Sequence, residues 1–351
     1  MKNKSFGLDI GATTIKAVWL SWQNNGFLFK SASTLPAPIK GILSESPLDQ
    51  DEMAKAIRKL VIESAKITTP YVNVSLPENQ VYTRIIEMPV LSDKELSSAI
   101  YWEAEQHIPV PLTTVTLDWR VLKRPENQKD DPKMAVLLVG APTMLIDKYE
   151  KILSIAGLAI TSIETEILSV IRALIFPFSQ GGADNFPNSL IVNIGAVSTS
   201  FAIVKKGIIV FTYAIATGGT AINRAISTDF GFSVLQAEEY KKTYGVSQEF
   251  SGGKIGQTTM PILMSIISEI KKSLAFYGEK YKNEEPVRQI ILTGGTAKLP
   301  GISAYFAKQC GIEAVVGNPW NALSSQEVPK EILDNAPDYT IAAGLAMRDY
   351  E

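Results

Sequence analysis

Two periods of apolar and polar positions run along the chain, and the switches between them mark out the elements. Phe6 to Ile10 and Ile15 to Leu20 are apolar runs parted by a glycine turn. The polar turn Gln23-Asn24-Asn25-Gly26 then leads to Phe27–Phe29, predicting a three-strand meander. The helical period predicts a helix over Asp51 to Lys66, with Met53, Ile57, Leu60, Val61 and Ser64 on one face, and Tyr71 to Leu76 alternate as a strand. From Val81 to Ala156 the pattern predicts an inserted β-α-β-β-α unit. A strand ends at Pro89, and Ser92-Asp93-Lys94-Glu95 is a capping-box pattern opening a helix with Leu96, Ile100 and His107-Ile108 on one face. Pro109 stops that helix. Strands follow at Thr114 to Leu122 and Met134 to Val139 around the charged loop Lys123 to Lys133, and a helix from Pro142 to Ala156 closes the unit.

Gln180 to Asn188, rich in glycine, asparagine and proline, is the predicted boundary between two halves. Beyond it, strands are predicted at Ser189–Ile194, Thr199–Val204 and Ile208–Ala216, and helical periodicity from Thr220 to Tyr281, its last helix beginning near Thr258. A final strand, Gln289 to Leu292, runs into Thr293-Gly294-Gly295-Thr296, and Thr340 to Met347 is a helix of small residues suited to close crossing.

Composition narrows the class. The 351 residues are 46% hydrophobic and 20% charged, with a net charge of -2, so no basic field is available for nucleic acid. Lys2 and Lys4 precede an apolar stretch, but Asp9, Gly11 and Lys16 interrupt it, so it does not read as a leader. No apolar run reaches about 18 residues, which predicts no membrane insertion. A single cysteine, Cys310, and a single histidine, His107, leave neither an internal disulfide nor a His/Cys zinc site, and suit a cytoplasmic location. The tryptophans at 19, 22, 102, 119 and 320 read as packing or interface groups, and Cys310 as buried against the last helices.

The chemistry lies in a repeat. Leu8-Asp9-Ile10-Gly11-Ala12-Thr13-Thr14-Ile15-Lys16 returns about half a chain later as Val192-Asn193-Ile194-Gly195-Ala196-Val197-Ser198-Thr199-Ser200. Either copy alone is most simply a hairpin; two copies in register can clamp a polyphosphate with main-chain N–H groups. Asp9, at a strand end, can hold a hydrated Mg²⁺, and Lys16 supplies phosphate charge or a solvated amine. At Gly294-Gly295 bare backbone lets an adenosine approach.

This order of turns and helices resembles the actin, sugar-kinase and chaperone ATPase superfamily. Within it, the chain is similar to the PilM type of pilus assembly proteins, relatives of the division protein FtsA. The likeness is carried by Ile86-Glu87-Met88-Pro89, Glu103 to Pro109, Asn318-Pro319-Trp320, Ala237 to Gly245 and Ala343 to Arg348. It implies an α/β, actin-like (ribonuclease H-like) two-lobed ATPase fold with an FtsA/PilM-type inserted subdomain. Residues 1–80 and 157–180 would form the first lobe and 81–156 the insert. Residues 189–217 and 285–335 would form the second lobe, 218–284 its helical part, and 336–351 a helix returning to the first lobe.

The resemblance also implies ATP or ADP with Mg²⁺ as cofactors. Asp9, Gly11, Thr13, Thr14 and Lys16 would form the first phosphate loop, and Asn193, Gly195, Ser198 and Thr199 the second. Gly218, Gly219 and Asn223 would lie near phosphates or ribose, Glu238 and Lys241 along ribose and adenine, and Gly294, Gly295, Thr296 and Lys298 on the adenosine side. Glu164 and Glu166 fall where relatives orient the attacking water. Asn193 stands where relatives usually carry Asp; an amide cannot take a proton, so binding is expected to outlast hydrolysis, which should be weak or absent.

The implied role is a cytoplasmic scaffold at the inner face of the membrane. It would bind the N-terminal peptide of a PilN-like inner-membrane protein between the first lobe and the insert, and nucleotide closing the lobes would move the insert. Other pilus components, the assembly motor among them, and self-association are further implied contacts. The alternative is a small-molecule (sugar) kinase, for which no Asp with a neighbouring hydroxyl-binding cluster is evident. Arg348 to Glu351 follow the small-residue helix directly, without the amphipathic tail of FtsA or the membrane span of GspL, which favours the PilM type.

Overall fold

Asp9 and Asn193 occupy equivalent places in two sheets of the same topology, and the chain between them explains why. A computed structural model describes residues 5–23, 26–125, 133–179, 186–246, 254–324 and 328–350. The predicted turn at Asn24-Asn25, positions 126–132 of the charged loop, 180–185 of the inter-lobe boundary and 247–253 of the helical stretch lie outside the described residues.

The chain opens as the antiparallel meander β1 (Phe6–Ile10), β2 (Thr14–Gln23) and β3 (Gly26–Pro36), then α1 (Pro47–Arg58) and β4 (Tyr71–Leu76), which pairs parallel with β1. Next come β5 (Tyr82–Pro89), α2 (Asp93–His107), β6 (Val115–Lys123) and β7 (Lys133–Pro142), an antiparallel sheet in the order β5-β7-β6. The chain returns through α3 (Thr143–Ile155) and β8 (Ala159–Thr165), parallel to β4, before α4 (Glu166–Ser179). The second half repeats the scheme with β9 (Ser189–Ile194), β10 (Thr199–Lys205) and β11 (Ile208–Ile215). Three helices follow, α5 (Gly219–Phe230), α6 (Val234–Tyr244) and α7 (Lys254–Lys280), then β12 (Gln289–Thr293), α8 (Ile302–Cys310) and β13 (Glu313–Val316). The chain finishes through α9 (Lys330–Asp334) and α10 (Thr340–Met347). The two large sheets run β3-β2-β1-β4-β8 and β11-β10-β9-β12-β13, so strand for strand they match. All six residues of β9 are buried, as a central strand covered on both faces requires.

Local signals place most elements. Ser92 caps α2, accepting from the Glu95 N–H at 3.4 Å while Glu95 accepts from the Ser92 N–H at 2.9 Å. Leu96, Ile100 and Ala104 form the buried stripe of α2, and Ile108 beyond it is buried too; His107 is exposed, so Ala104 takes the place expected for it. The first helix begins earlier than Asp51 because Pro47 is well placed in a first turn. It ends differently as well. Residues Lys59–Ser64 are π-helical, with the Ala65 N–H donating to the Leu60 carbonyl at 2.8 Å. The extra residue in that turn rotates the apolar face, so Ala65 and Ile67 are buried and Ser64, expected inward, is exposed.

One element changes company. The helix expected to close the insert, α3, places Leu145, Tyr149, Ile152 and Leu153 in the first-lobe core with Phe6, Leu8, Ile57 and Val74. The insert has its own core beneath α2, where Leu96, Ile100 and Ala104 meet Met134, Val136 and Leu138. It therefore needs no second helix. A further core lies between the sheets, where Ile167, Val170 and Leu174 of α4 and Ile341 and Leu345 of α10 meet Ile191, Ala202 and Ile291. Close approach there depends on a missing side chain: a Cβ on Gly344 would fall 1.9 Å from the Ser169 carbonyl of α4. Cys310, expected against the last helices, is half-buried at the edge of the second-lobe core, because α8, which carries it, packs chiefly on α7 and β13.

Candidate nucleotide site

Both halves of the repeat fold alike. The Gly11 N–H donates to the Thr14 carbonyl at 3.0 Å, and the Gly195 N–H donates to the Ser198 carbonyl at 2.9 Å. Each turn closes a hairpin between the first two strands of its sheet, β1-β2 and β9-β10. Asp9 is buried at the end of β1 opposite Lys16 of β2, whose Nζ lies 3.1 Å from Asp9 Oδ2. Lys16 thus answers the Asp9 charge first. Thr13 is exposed at the turn, Thr14 and Ser198 are half-buried, and the Thr13 carbonyl is held by the Ala37 N–H at 3.0 Å. Thr199 departs from the expected role. It is fully buried and its hydroxyl donates to the Thr217 carbonyl at 2.7 Å, so it anchors the chain leading to α5 instead of lining a phosphate surface.

That chain bears Gly218 and Gly219. The Gly219 N–H donates to the Gly195 carbonyl and Thr220 to the Ala196 carbonyl, seating α5 on the second turn. A Cβ on Gly218 would lie 2.6 Å from the Gly195 carbonyl oxygen. Gly294, at φ +83°, sits over the end of β9, where a Cβ would be 2.7 Å from Asn193 Oδ1 and 2.6 Å from the Ile194 carbonyl. Gly295 follows at the start of a 3₁₀ turn, Gly295–Lys298. The Asn193 amide is therefore buried at the junction of two glycine turns.

From here a polar cluster forms. Asn223 Nδ2 donates to Glu238 Oε2 at 2.5 Å, Lys241 Nζ donates to the same oxygen at 2.6 Å, and Lys241 also reaches the Gly219 carbonyl at 3.5 Å. Thr296 Oγ1 adjoins Gly219 on the other side. Burial works against the Glu238 charge, but the bonds from Lys241 and Asn223 outweigh it and leave the carboxyl titrating below its ordinary value. Burial pulls the Lys241 amine down, with Glu238 offsetting part of that. Asn223 Oδ1 is buried and has no hydrogen-bond partner. An orphaned acceptor between a carboxylate, an ammonium and two glycine turns fits a hydroxyl-bearing ligand. Lys298 lies outside this cluster: its Nζ is held by Asp338 Oδ2 at 2.6 Å and Asn335 Oδ1 at 2.5 Å, tying the adenosine-side turn to the connector before α10.

The two linker carboxylates separate. Glu164 is buried with both oxygens taken by Arg172, at 2.5 and 2.8 Å, and Arg348 Nε lies 3.4 Å away. Arg172 also donates to the Gly344 carbonyl at 3.0 Å. Glu164, expected beside an attacking water, is thus committed to joining β8, α4 and α10. Glu166, at the start of α4, sits instead near Asp9 and Glu78. Burial first, then the charges of Asp9 and Glu78, push its carboxyl up to about 8, with Lys16 offsetting in part. Two members of this neighbourhood escaped the sequence reading. Glu78 is buried behind β4 and accepts the Ile167 N–H at 3.3 Å, its carboxyl raised by burial. Tyr149 is fully buried with an unpartnered hydroxyl, its phenol raised by burial and by Glu166 and Asp9. A carboxylate straight after a strand, as at Leu76-Pro77-Glu78, was the available signal for the first; Tyr149 gave none.

A family model described as "Type IV pilus assembly protein PilM" matches residues 7–350. Ethanolamine utilization protein EutJ of Escherichia coli (strain K12) is 26% identical over 152 residues, 43% of this chain, which spans only 49% of that protein. Cell division protein FtsA of Enterococcus hirae is 23% identical over 334 residues, 84% of this chain and 74% of that one. A chain of the solved PilM-PilN type IV pilus biogenesis complex is 26% identical, with a TM-score of 0.84 and 99% of each chain covered. The doubled sheet is the actin-like fold.

Proposed function

The chain belongs to the type IV pilus assembly protein PilM family, and from that membership we propose that it is a nucleotide-holding scaffold of the pilus machine that binds the N-terminal peptide of a PilN-like protein. The partner rests on one observation, the correspondence of nearly the whole chain with the solved PilM-PilN complex. That correspondence favours a scaffold over the sugar-kinase reading. Among the described residues no helix is long and apolar enough to cross a membrane, so attachment to the inner membrane's cytoplasmic face would come through the partner.

The nucleotide is supported by the matched turns, the glycines that leave no room for a Cβ, and the orphaned Asn223 oxygen. Phosphates would lie against Gly11 to Thr14 and Gly195 to Ser198, ribose and base toward Asn223, Glu238, Lys241 and Thr296. Among the described residues no group of three or more His, Cys, Asp or Glu side chains is placed to hold a metal. Mg²⁺ would therefore arrive with the phosphates and touch Asp9 through water, as its reluctance to dehydrate allows. With Asn193 an amide and Glu164 engaged elsewhere, Glu166 would be left to orient water, and hydrolysis would be weak or absent.

Calorimetry with the PilN-like peptide, with and without Mg-ATP, tests the scaffold; no binding in either condition removes it. In thermal unfolding, Mg-ATP at about 100 times its Kd is expected to stabilise the wild type by about 2.7 kcal/mol. Asp9→Ala should abolish that gain, and an undiminished one would put the nucleotide elsewhere.

A further inference from the structure

The insert is covalently attached to the first lobe alone, through the segments on either side of β5 and β7, yet it also touches the second. Strand β5 lies against β11. Ile85 of β5 and Leu122 of β6 pack onto the core between the lobes, beside Val204, Ile209 and Ile291. One turn of contact farther, Glu87 Oε1 lies 2.6 Å from Lys280 Nζ at the end of α7, both side chains about one-third exposed. The Lys280 ammonium also stands 5.6 Å over the Tyr281 ring and 6.0 Å over Phe276. Burial disfavours its charge, but Glu87 and Tyr281 outweigh that and raise its pKa, so the amine stays charged at neutral pH.

These contacts span a joint. The lobes meet through α4 and α10, so a change in the angle between them there would move β11 and α7 relative to β5. The apolar part of the contact can slide, whereas the ion pair keeps its full strength only while Glu87 and Lys280 stay within reach of each other. Glu87 belongs to the Ile86-Glu87-Met88-Pro89 stretch, in which Ile86 and Met88 face the insert's own core, leaving Glu87 to point outward.

We propose that Glu87, Lys280, Ile85 and Leu122 form a latch through which the insert senses the separation of the lobes. Nucleotide held between the lobes and the position of the insert are then coupled through this one contact. The inference rests on the nucleotide reading above and names the device that regulates that site.

The test uses the full chain and Mg-ATP as the probe. Glu87→Lys and Lys280→Glu should each shift the Kd for Mg-ATP at least fivefold, the lower end of an ordinary coupling between sites, in the same direction, and the double reversal should bring it back to within about twofold. A second arm places cysteines at 87 and 280 in a Cys310→Ser background. Mg-ATP should change the rate of disulfide formation between them at least fivefold. If wild-type protein binds Mg-ATP but neither affinity nor cross-linking responds, the latch is overturned and the nucleotide reading stands. If wild-type protein fails to bind Mg-ATP, both fall together.

Discussion

Glu164 and Glu166 stand two residues apart at the end of β8 and the start of α4, and their surroundings give them opposite states. Arg172 neutralises the first with a bidentate pair; nothing comparable meets the second, which lies near Asp9 and Glu78. A carboxyl held up to about 8 keeps a proton in the folded chain that the unfolded chain has already released. Its contribution to stability is therefore full below about pH 4.5, declines as pH rises toward 8, and levels off above. Glu166→Gln, in the absence of nucleotide, should stabilise the protein at pH 8 and leave it unchanged at pH 4.5. Screening at this half-buried position holds the gain to about 1–2 kcal/mol. Urea unfolding at the two pH values measures it, and an equal change at both would show that the proton is not the source. The repeat around Asp9 and Asn193 was legible because its turns are local. The engagement of Thr199, Glu164 and Lys298 was not, since their partners Thr217, Arg172, Asn335 and Asp338 are brought to them by folding.

Among the elements, α2 and α10 show two kinds of sequence signal. The start of α2 is written in Ser92 and Glu95 and needs nothing beyond its own first turn. In α10, by contrast, a run of small residues states only that something comes close. The structure supplies what: α4 at Ser169 on one side and β1 at Gly7 on the other, where a Cβ would lie 2.0 Å from the Ala342 carbonyl. Since both obstacles are main chain, neither can swing aside. Gly344→Ala should cost about 2–3 kcal/mol by overpacking, read from chemical denaturation. A loss below about 0.5 kcal/mol would mean that α4 and α10 are free to separate. The π turn after α1 belongs to a third kind, invisible in periodicity because one inserted residue shifts every face that follows.

For the molecule as a whole, the core shared by α4, α10 and the second sheet is what makes two lobes one protein. Leu345 is fully buried in it, while its neighbours Ala342, Ala343 and Ala346 pack under the first-lobe meander. Leu345→Ala should therefore weaken both lobes at once, by about 2–5 kcal/mol. Tryptophan fluorescence and far-ultraviolet circular dichroism are expected to report coincident midpoints before and after the change. Midpoints that separate in the variant would show the lobes unfolding independently and would confine the helix's influence to one of them.

Sequence alone determined most of the strands, the cap of α2, the two hydroxyl-bearing turns and their repetition, because each depends on a few adjacent residues and on the period of burial. It missed β8 and made Gln289 to Leu292 the last strand, although β13 follows as a short parallel edge strand beside β12. Tertiary structure decided which core an apolar stripe would join, as for α3, and which charges would meet, as for Glu164 with Arg172 and Glu87 with Lys280. The physical reason is that a turn or cap is stabilised within its own neighbourhood, whereas a pairing across tens or hundreds of residues exists only after the chain has paid the entropy of bringing its parts together.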